Sequence, residues 1–178
     1  ELMRMKYGIT IAGTHGKTTT TSMVATVLGN GGLDPTVVLG GRLDTFGSNA
    51  KLGTGEFMIV EADESDRSFL LLSPTVAIVT NIDEDHMESY SSIEDLKNTF
   101  LQFVNKVPFY GVVVLCLDDI VTKSIVPKIK RRIITYGFCE EANLHISSAA
   151  FKGSKSQFSL HDRGTLVGKF ELNIPGRH

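Results

Sequence analysis

The residues Gly13-Thr14-His15-Gly16-Lys17-Thr18-Thr19-Thr20 carry the strongest chemical signal in the chain. Glycines at 13 and 16 let the backbone bend until successive N–H groups point at one anion. The lysine after the second glycine supplies a positive charge for the outer phosphates of a nucleoside triphosphate. The Thr18 hydroxyl is of the kind that binds Mg2+ beside those phosphates. Gly13, Thr14, His15, Gly16, Lys17, Thr18 and Thr19 are therefore the candidate ATP-binding residues, with Lys17 also a catalytic candidate. The pattern is a shortened one. Ile11 stands where the general motif G-x-x-x-x-G-K-[ST] has its first glycine, so Gly13 takes over the turn. The competing reading is a plain glycine turn with an exposed lysine.

Glu61 is the second candidate. It follows the apolar run Phe57-Met58-Ile59-Val60 directly. A Mg2+ ion that bridges phosphates takes one or two protein carboxylates and fills its octahedron with water and phosphate. A carboxylate at a strand end beside the loop meets that need. Glu61 also opens the stretch Glu61-Ala62-Asp63-Glu64-Ser65-Asp66, which can be read as a solvated acidic loop. His86 closes Asp83-Glu84-Asp85-His86. Mg2+ prefers oxygen donors, so the residue types leave His86 either an ordinary loop histidine or a proton carrier. His15 either bonds a phosphate or packs. His145 and His161 sit in a polar tail and read as bystanders. Lys128, Lys130, Arg131 and Arg132 read as a complement to a helix dipole.

These residues need elements to position them. Tyr7-Gly8-Ile9-Thr10-Ile11-Ala12 is a short β-branched run ending at Gly13, which predicts a buried strand. A helix is expected over 18–28, with Met23, Val24, Val27 and Leu28 on its apolar face and glycines at 29, 31 and 32 stopping it. Short strands are expected at 36–39, 57–60 and 76–80. Ser91 with Glu94 fits a capping box for a helix reaching about Val107, striped by Ile93, Leu96, Phe100, Phe103 and Val104. A strand over 111–116, a short helix near 120–129 and a strand over 132–136 follow. That order predicts an α/β fold of P-loop type, a doubly wound and mostly parallel sheet. In such sheets ligands sit at the carboxyl ends of strands, where Gly13, Glu61 and the Asn81–His86 segment fall. From about Asn143 to Ile174 the pattern alternates, with Asp162-Arg163-Gly164 as a hairpin turn, so a small antiparallel sheet is expected toward the C-terminal end.

Length and composition agree with one such domain. The chain has 178 residues, 42% of them apolar, enough to order a core and exclude disorder. Its 18 basic against 20 acidic residues give a net charge of -2, which offers no nucleic-acid surface. No apolar run approaches the roughly 18–20 residues that span a bilayer. Two cysteines, Cys116 and Cys139, make no disulfide framework, so a reducing cytoplasm is expected. Neither end reads as a natural terminus, so a piece of a longer polypeptide is expected.

Across essentially its whole length the chain resembles the central ATP-binding domain of the Mur ligases, the ATP-dependent amide-forming enzymes of peptidoglycan synthesis. Five motifs in the same order carry the resemblance. They are the 13–20 loop, Glu61–Asp66 with Ser68-Phe69-Leu70, Thr80–Met87, Pro108-Phe109-Tyr110-Gly111, and Pro175-Gly176-Arg177-His178. Gly40-Gly41 and Gly47-Ser48-Asn49-Ala50 also fit. The resemblance implies that residues 1–178 are the central domain, with an N-terminal UDP-binding domain and a C-terminal domain outside this chain. It implies that the loop holds ATP, that Thr18 and Glu61 hold one Mg2+, and that Glu61 and His86 hold a second. Lys17, Glu61 and His86 become the catalytic set. The implied reaction joins L-alanine to UDP-N-acetylmuramate through an acyl phosphate in the bacterial cytoplasm, in service of the cell wall, cell shape and division. Two alternatives stand beside it. One is a related ligase that adds a peptide or glutamate to a similar acceptor. The other is a P-loop nucleotide switch without ligase activity.

Overall fold

The computed structural model describes residues 3, 5–40, 49–85, 87–174 and 176. Strand β1 (Tyr7–Ala12) is buried from Gly8 onward, as a β-branched strand covered on both faces must be. Helix α1 (Lys17–Asn30) follows the loop, then β2 (Thr36–Val38), β3 (Ala50–Lys51), β4 (Phe57–Glu61) and β5 (Val76–Val79). Helix α2 (Ile93–Val104), β6 (Val112–Cys116), α3 (Ile120–Ile125) and β7 (Ile133–Gly137) continue the alternation. Strands β8 (Leu144–Lys152), β9 (Lys155–Asp162) and β10 (Thr165–Leu172) complete it. Among the described residues these ten strands lie in one sheet, in the order β10-β9-β8-β7-β6-β5-β1-β4-β2-β3. The pairs from β2 through β4, β1, β5, β6 and β7 to β8 are parallel. Strands β3, β9 and β10 pair antiparallel.

Apolar side chains cover both faces of the parallel part of this sheet. On one side Ile9, Ile11, Val37, Leu39 and Ile59 pack with Ala25 of α1. On the other, Ala77, Val79, Val113 and Leu115 pack with Phe100, Phe103 and Ile125 from α2 and α3. Phe69 joins that second core, its ring centroid 5.2 Å from Phe100 and 4.9 Å from Phe103. Each such fully buried aromatic contributes roughly 2–3 kcal/mol through area removed from water. The mixed α/β, mostly parallel sheet expected from the sequence is therefore present. Among the described residues no helix is long and apolar enough to cross a membrane.

Local expectations needed correction in three places. The buried stripe of α1 runs through Thr21 and Ala25, with Val24 and Leu28 packed beside it, while Val27 is 69% exposed. Small residues let the helix sit close on the sheet, and Thr21 is tolerated inside because its hydroxyl donates to the Lys17 carbonyl at 2.8 Å. The N-cap of α2 is Ser92, whose hydroxyl accepts from Asp95 N at 3.2 Å, one residue later than the Ser91/Glu94 box. Ser91 instead bonds the Asp95 carboxylate, at 3.1 Å. Finally, the C-terminal hairpins do not form a separate sheet. Leu144 and His145 of β8 pair in parallel with Tyr136 and Gly137 of β7, so the hairpins extend the main sheet.

Candidate functional site

Strand β1 lies between β4 and β5, so three carboxyl ends meet at one place. Ile11 stands in register with Glu61, and Ala12 with Val79. Sequence direction reverses about β1, which is where a parallel α/β sheet opens a crevice for ligands. The loop from Gly13 to Gly16 rises from this point.

Two glycines shape the loop. Gly13 has φ 137°, and a Cβ there would stand 2.1 Å from Thr80 Oγ1. Gly16 is the N-cap of α1 in the left-handed region, φ 79°, with no side-chain cap. The first helical bond is Thr20 N to Gly16 O at 2.9 Å. The N–H groups of Lys17, Thr18 and Thr19 precede that bond and have no intrahelical acceptor. No acidic side chain occupies the first turn. The N-terminus of this 14-residue helix has no side-chain cap, an arrangement that can receive an anion. Gly13→Ala is expected to weaken nucleotide binding at least tenfold and to lower stability by about 1–3 kcal/mol, through the left-handed strain and the clash with Thr80. Calorimetric titration and thermal unfolding would read the two effects.

Thr14 and His15 serve the loop differently from the simple expectation of inward-pointing amides. Thr14 N donates to Asn81 O at 3.2 Å, and His15 N to Asn81 Oδ1 at 2.8 Å. Asn81 Nδ2 and Thr80 Oγ1 in turn donate to His15 O, at 3.0 and 2.7 Å. Asp83 N donates to Thr14 Oγ1 at 2.9 Å. The segment after β5 thus clamps the first half of the loop. The His15 side chain is exposed, its Nε2 3.5 Å from Asp83 Oδ2.

The structure brings Thr18 and Glu61 together. Thr18 Oγ1 donates to Glu61 Oε1 at 2.9 Å, and Gly40 N donates to Oε2 at 3.3 Å. The pair offers hard oxygen donors at the mouth of the loop. Among the described residues no three His, Cys, Asp or Glu side chains gather into a metal-binding group. Such a sparse donor set suits Mg2+, which keeps water and phosphate oxygens around it. His86, Gly41, Gly47, Ser48, Pro175, Arg177 and His178 lie outside the described residues.

The sequence places Glu64 in a stretch that reads as a solvated acidic loop, yet its carboxylate meets Lys17. Lys17 Nζ is 3.0 Å from Glu64 Oε1 and 2.8 Å from Oε2, and it also donates to Gly13 O at 2.8 Å and Thr14 O at 3.2 Å. The Glu64 main chain is held too. Its carbonyl accepts from the Tyr90 hydroxyl and from Arg67 N. Arg67 stacks 4.6 Å above the Tyr90 ring and bonds the Asp95 carboxylate. Backbone bonding from Ser91, then the Arg67 guanidinium, hold that carboxyl below its ordinary range. Burial pushes the Tyr90 hydroxyl up to about 12, from 10.0. The neutral phenol is the form the fold keeps. Its stabilisation is whole below pH 10 and is lost as pH rises toward about 12. Tyr90→Phe is expected to cost about 1–2 kcal/mol and to remove this step from an alkaline unfolding titration.

A cleft of about 700 Å3 also opens beside Lys6, Ser73 and Tyr110. None of residues 13–19 lines it.

The Mur ligase middle domain family model matches residues 11–178. The chain is 54% identical over 178 residues to the UDP-N-acetylmuramate--L-alanine ligase of Geobacter sp. (strain M21), and 57% identical to that of Geotalea uraniireducens (strain Rf4). All of this chain is covered in both cases, but it spans only 39% of the length of those curated relatives. Among solved structures, the UDP-N-acetylmuramate-alanine ligase of Thermotoga maritima superposes with TM-score 0.82 at 29% identity, covering 98% of this chain and 39% of that one. A UDP-N-acetylmuramate:L-alanyl-gamma-D-glutamyl-meso-diaminopimelate ligase from Neisseria meningitides gives 0.85 at 25% identity, covering 99% of this chain and 58% of that one.

Proposed function

The chain belongs to the Mur ligase family through its middle domain, and from that premise we propose that it is the ATP-binding domain of an enzyme joining L-alanine to UDP-N-acetylmuramate. The similarity to UDP-N-acetylmuramate--L-alanine ligases supports the choice of substrates, and the observation that carries the ATP-binding role is the Thr18–Glu61 contact of 2.9 Å beside the uncapped start of α1. It puts a hydroxyl, a carboxylate and free backbone donors at one point, the set a polyphosphate with Mg2+ requires.

In this reading the N–H groups of Lys17, Thr18 and Thr19 receive the β- and γ-phosphates, and Lys17 Nζ neutralises charge as it develops. Thr18 and Glu61 would hold one Mg2+, and Glu61 with His86 a second. The bound ion would draw electron density from the phosphate oxygens and align them. The carboxylate of the sugar nucleotide attacks the γ-phosphorus, the bond to the β-phosphate oxygen breaks, and ADP leaves. The amine of L-alanine then attacks the acyl carbon, and inorganic phosphate departs as the amine loses its proton. Little covalent work falls to the protein, whose contribution is positioning and charge neutralisation. The setting that fits is cell-wall synthesis in the bacterial cytoplasm. The sugar nucleotide and the amino acid would be held largely by parts of the enzyme outside residues 1–178.

Phosphate release by the complete gene product tests this. Release is expected only when both UDP-N-acetylmuramate and L-alanine accompany ATP. Release with L-alanyl-γ-D-glutamyl-meso-diaminopimelate in place of L-alanine would assign the peptide-adding activity instead. Release that ignores the sugar nucleotide would identify a nucleotide switch and overturn the ligase reading.

A further inference from the structure

Lys17 is already engaged in the nucleotide-free protein. Its ammonium carries three hydrogens but faces four oxygens, namely Gly13 O, Thr14 O and both oxygens of Glu64. One of the four must lack an aligned hydrogen bond. It is Glu64 Oε2, buried and in ion-pair contact at 2.8 Å but outside hydrogen-bond alignment. The Glu64 side chain is only 2% exposed and that of Lys17 15%, so water screens this pair poorly. Nothing about Glu64 is loose. The Tyr90 hydroxyl and Arg67 N fix its carbonyl, and Arg67 is itself tied to Asp95 and to Ser89 O. The fold therefore drives a carboxylate into the loop on purpose-built main-chain supports, where it competes with any phosphate for the same ammonium.

We propose that Glu64 is a displaceable internal counter-ion of Lys17: it holds the ammonium in the empty loop and yields it to the phosphates of an incoming nucleotide. The inference rests on the reading of residues 13–19 as the nucleotide-binding loop. Two consequences follow from charge alone. The empty loop is stabilised, because the lysine is not left as a bare charge. Nucleotide binding is weakened, because each binding event must separate the pair and bring phosphate near a buried carboxylate. When phosphates leave, Glu64 recaptures the ammonium, which favours release of ADP.

The sign of one substitution separates this from a merely structural Glu64. Glu64→Gln keeps the length, the main-chain bonds and an oxygen acceptor for Nζ, and removes the charge. In the complete gene product, titrated with Mg2+ and the non-hydrolysable β,γ-imido analogue of ATP, this variant is expected to bind about tenfold tighter than wild type. ADP is expected to dissociate correspondingly more slowly. The unliganded variant should melt earlier, and saturating nucleotide should raise its Tm by more than it raises wild type's. Unchanged or weaker binding, with wild type binding normally and Lys17→Ala not binding, would overturn the counter-ion role alone. Binding by Lys17→Ala equal to wild type would overturn the loop reading and this inference with it. Glu64→Asp provides a second route should the glutamine variant fail to fold. It keeps the charge but withdraws the oxygens from Nζ, and a Kd equal to or above that of wild type would again overturn the proposal.

Discussion

Lys17→Ala is expected to abolish ATP turnover by the complete gene product and, in the same stroke, to destabilise the nucleotide-free protein. The first effect follows from the lysine's place in the loop, at the start of a helix whose N-terminus has no other cap. The second was not apparent from sequence, where Lys17 reads as a group pointing at phosphate and away from the core. In the structure its ammonium is the partner of a buried carboxylate. Removing it leaves the enclosed Glu64 carboxyl without its ion partner, at a cost of about 3–4 kcal/mol. For a domain of this size that is a fall in Tm of roughly 5–15 °C. The double variant Lys17→Ala with Glu64→Gln should recover most of the stability and none of the turnover. Additive losses in the double variant would show that the two side chains do not act as a pair.

The contrast between Lys17 and Glu64 shows which parts of the site were legible in the sequence. Residues 13–18 are contiguous, and their spacing alone sets a strand, a turn and a helix start. Glu61 was legible because β4 is short and apolar and ends on it, so its place at the strand's carboxyl end follows from local pattern. The meeting of Thr18 and Glu61 needs only the parallel register of β1 and β4. Glu64 was not legible. Within a run of Asp and Glu its types suggest a solvated loop, and only the packing of Tyr90 and Arg67 against its carbonyl turns it inward. The contact that Asn81 makes is hidden for a similar reason. Its clamp on His15 spans 66 residues and depends on β5 lying beside β1. The fold was legible in its alternation of strands and helices. The inward stripe of α1 was not, because hydrophobicity favours Val27 over Thr21 while close packing on the sheet favours the smaller residues.

Glu61→Gln is expected to raise the Mg2+ concentration for half-maximal turnover by tenfold or more, while leaving the fold intact. The carboxylate is half-buried at the end of β4. Its oxygens accept from Thr18 Oγ1 and Gly40 N; a glutamine oxygen can accept from Gly40 N while its amide donates to the Thr18 hydroxyl, which turns to accept. The structural cost is therefore small, within about 1 kcal/mol for altered hydrogen bonding. The cost to metal binding is larger, because a neutral amide replaces a charged, hard oxygen donor. Even residues that merely orient ligands change metal affinity by about 10–100-fold when lost, and a direct ligand should do no less. Thr18→Val is the matched control. It deletes the hydroxyl that faces Glu61, keeps the charge, and should shift the Mg2+ titration by less. If Glu61→Gln left the Mg2+ titration unchanged while nucleotide binding persisted, the metal would have to be held elsewhere, and the 2.9 Å contact would be only the cap of a strand end.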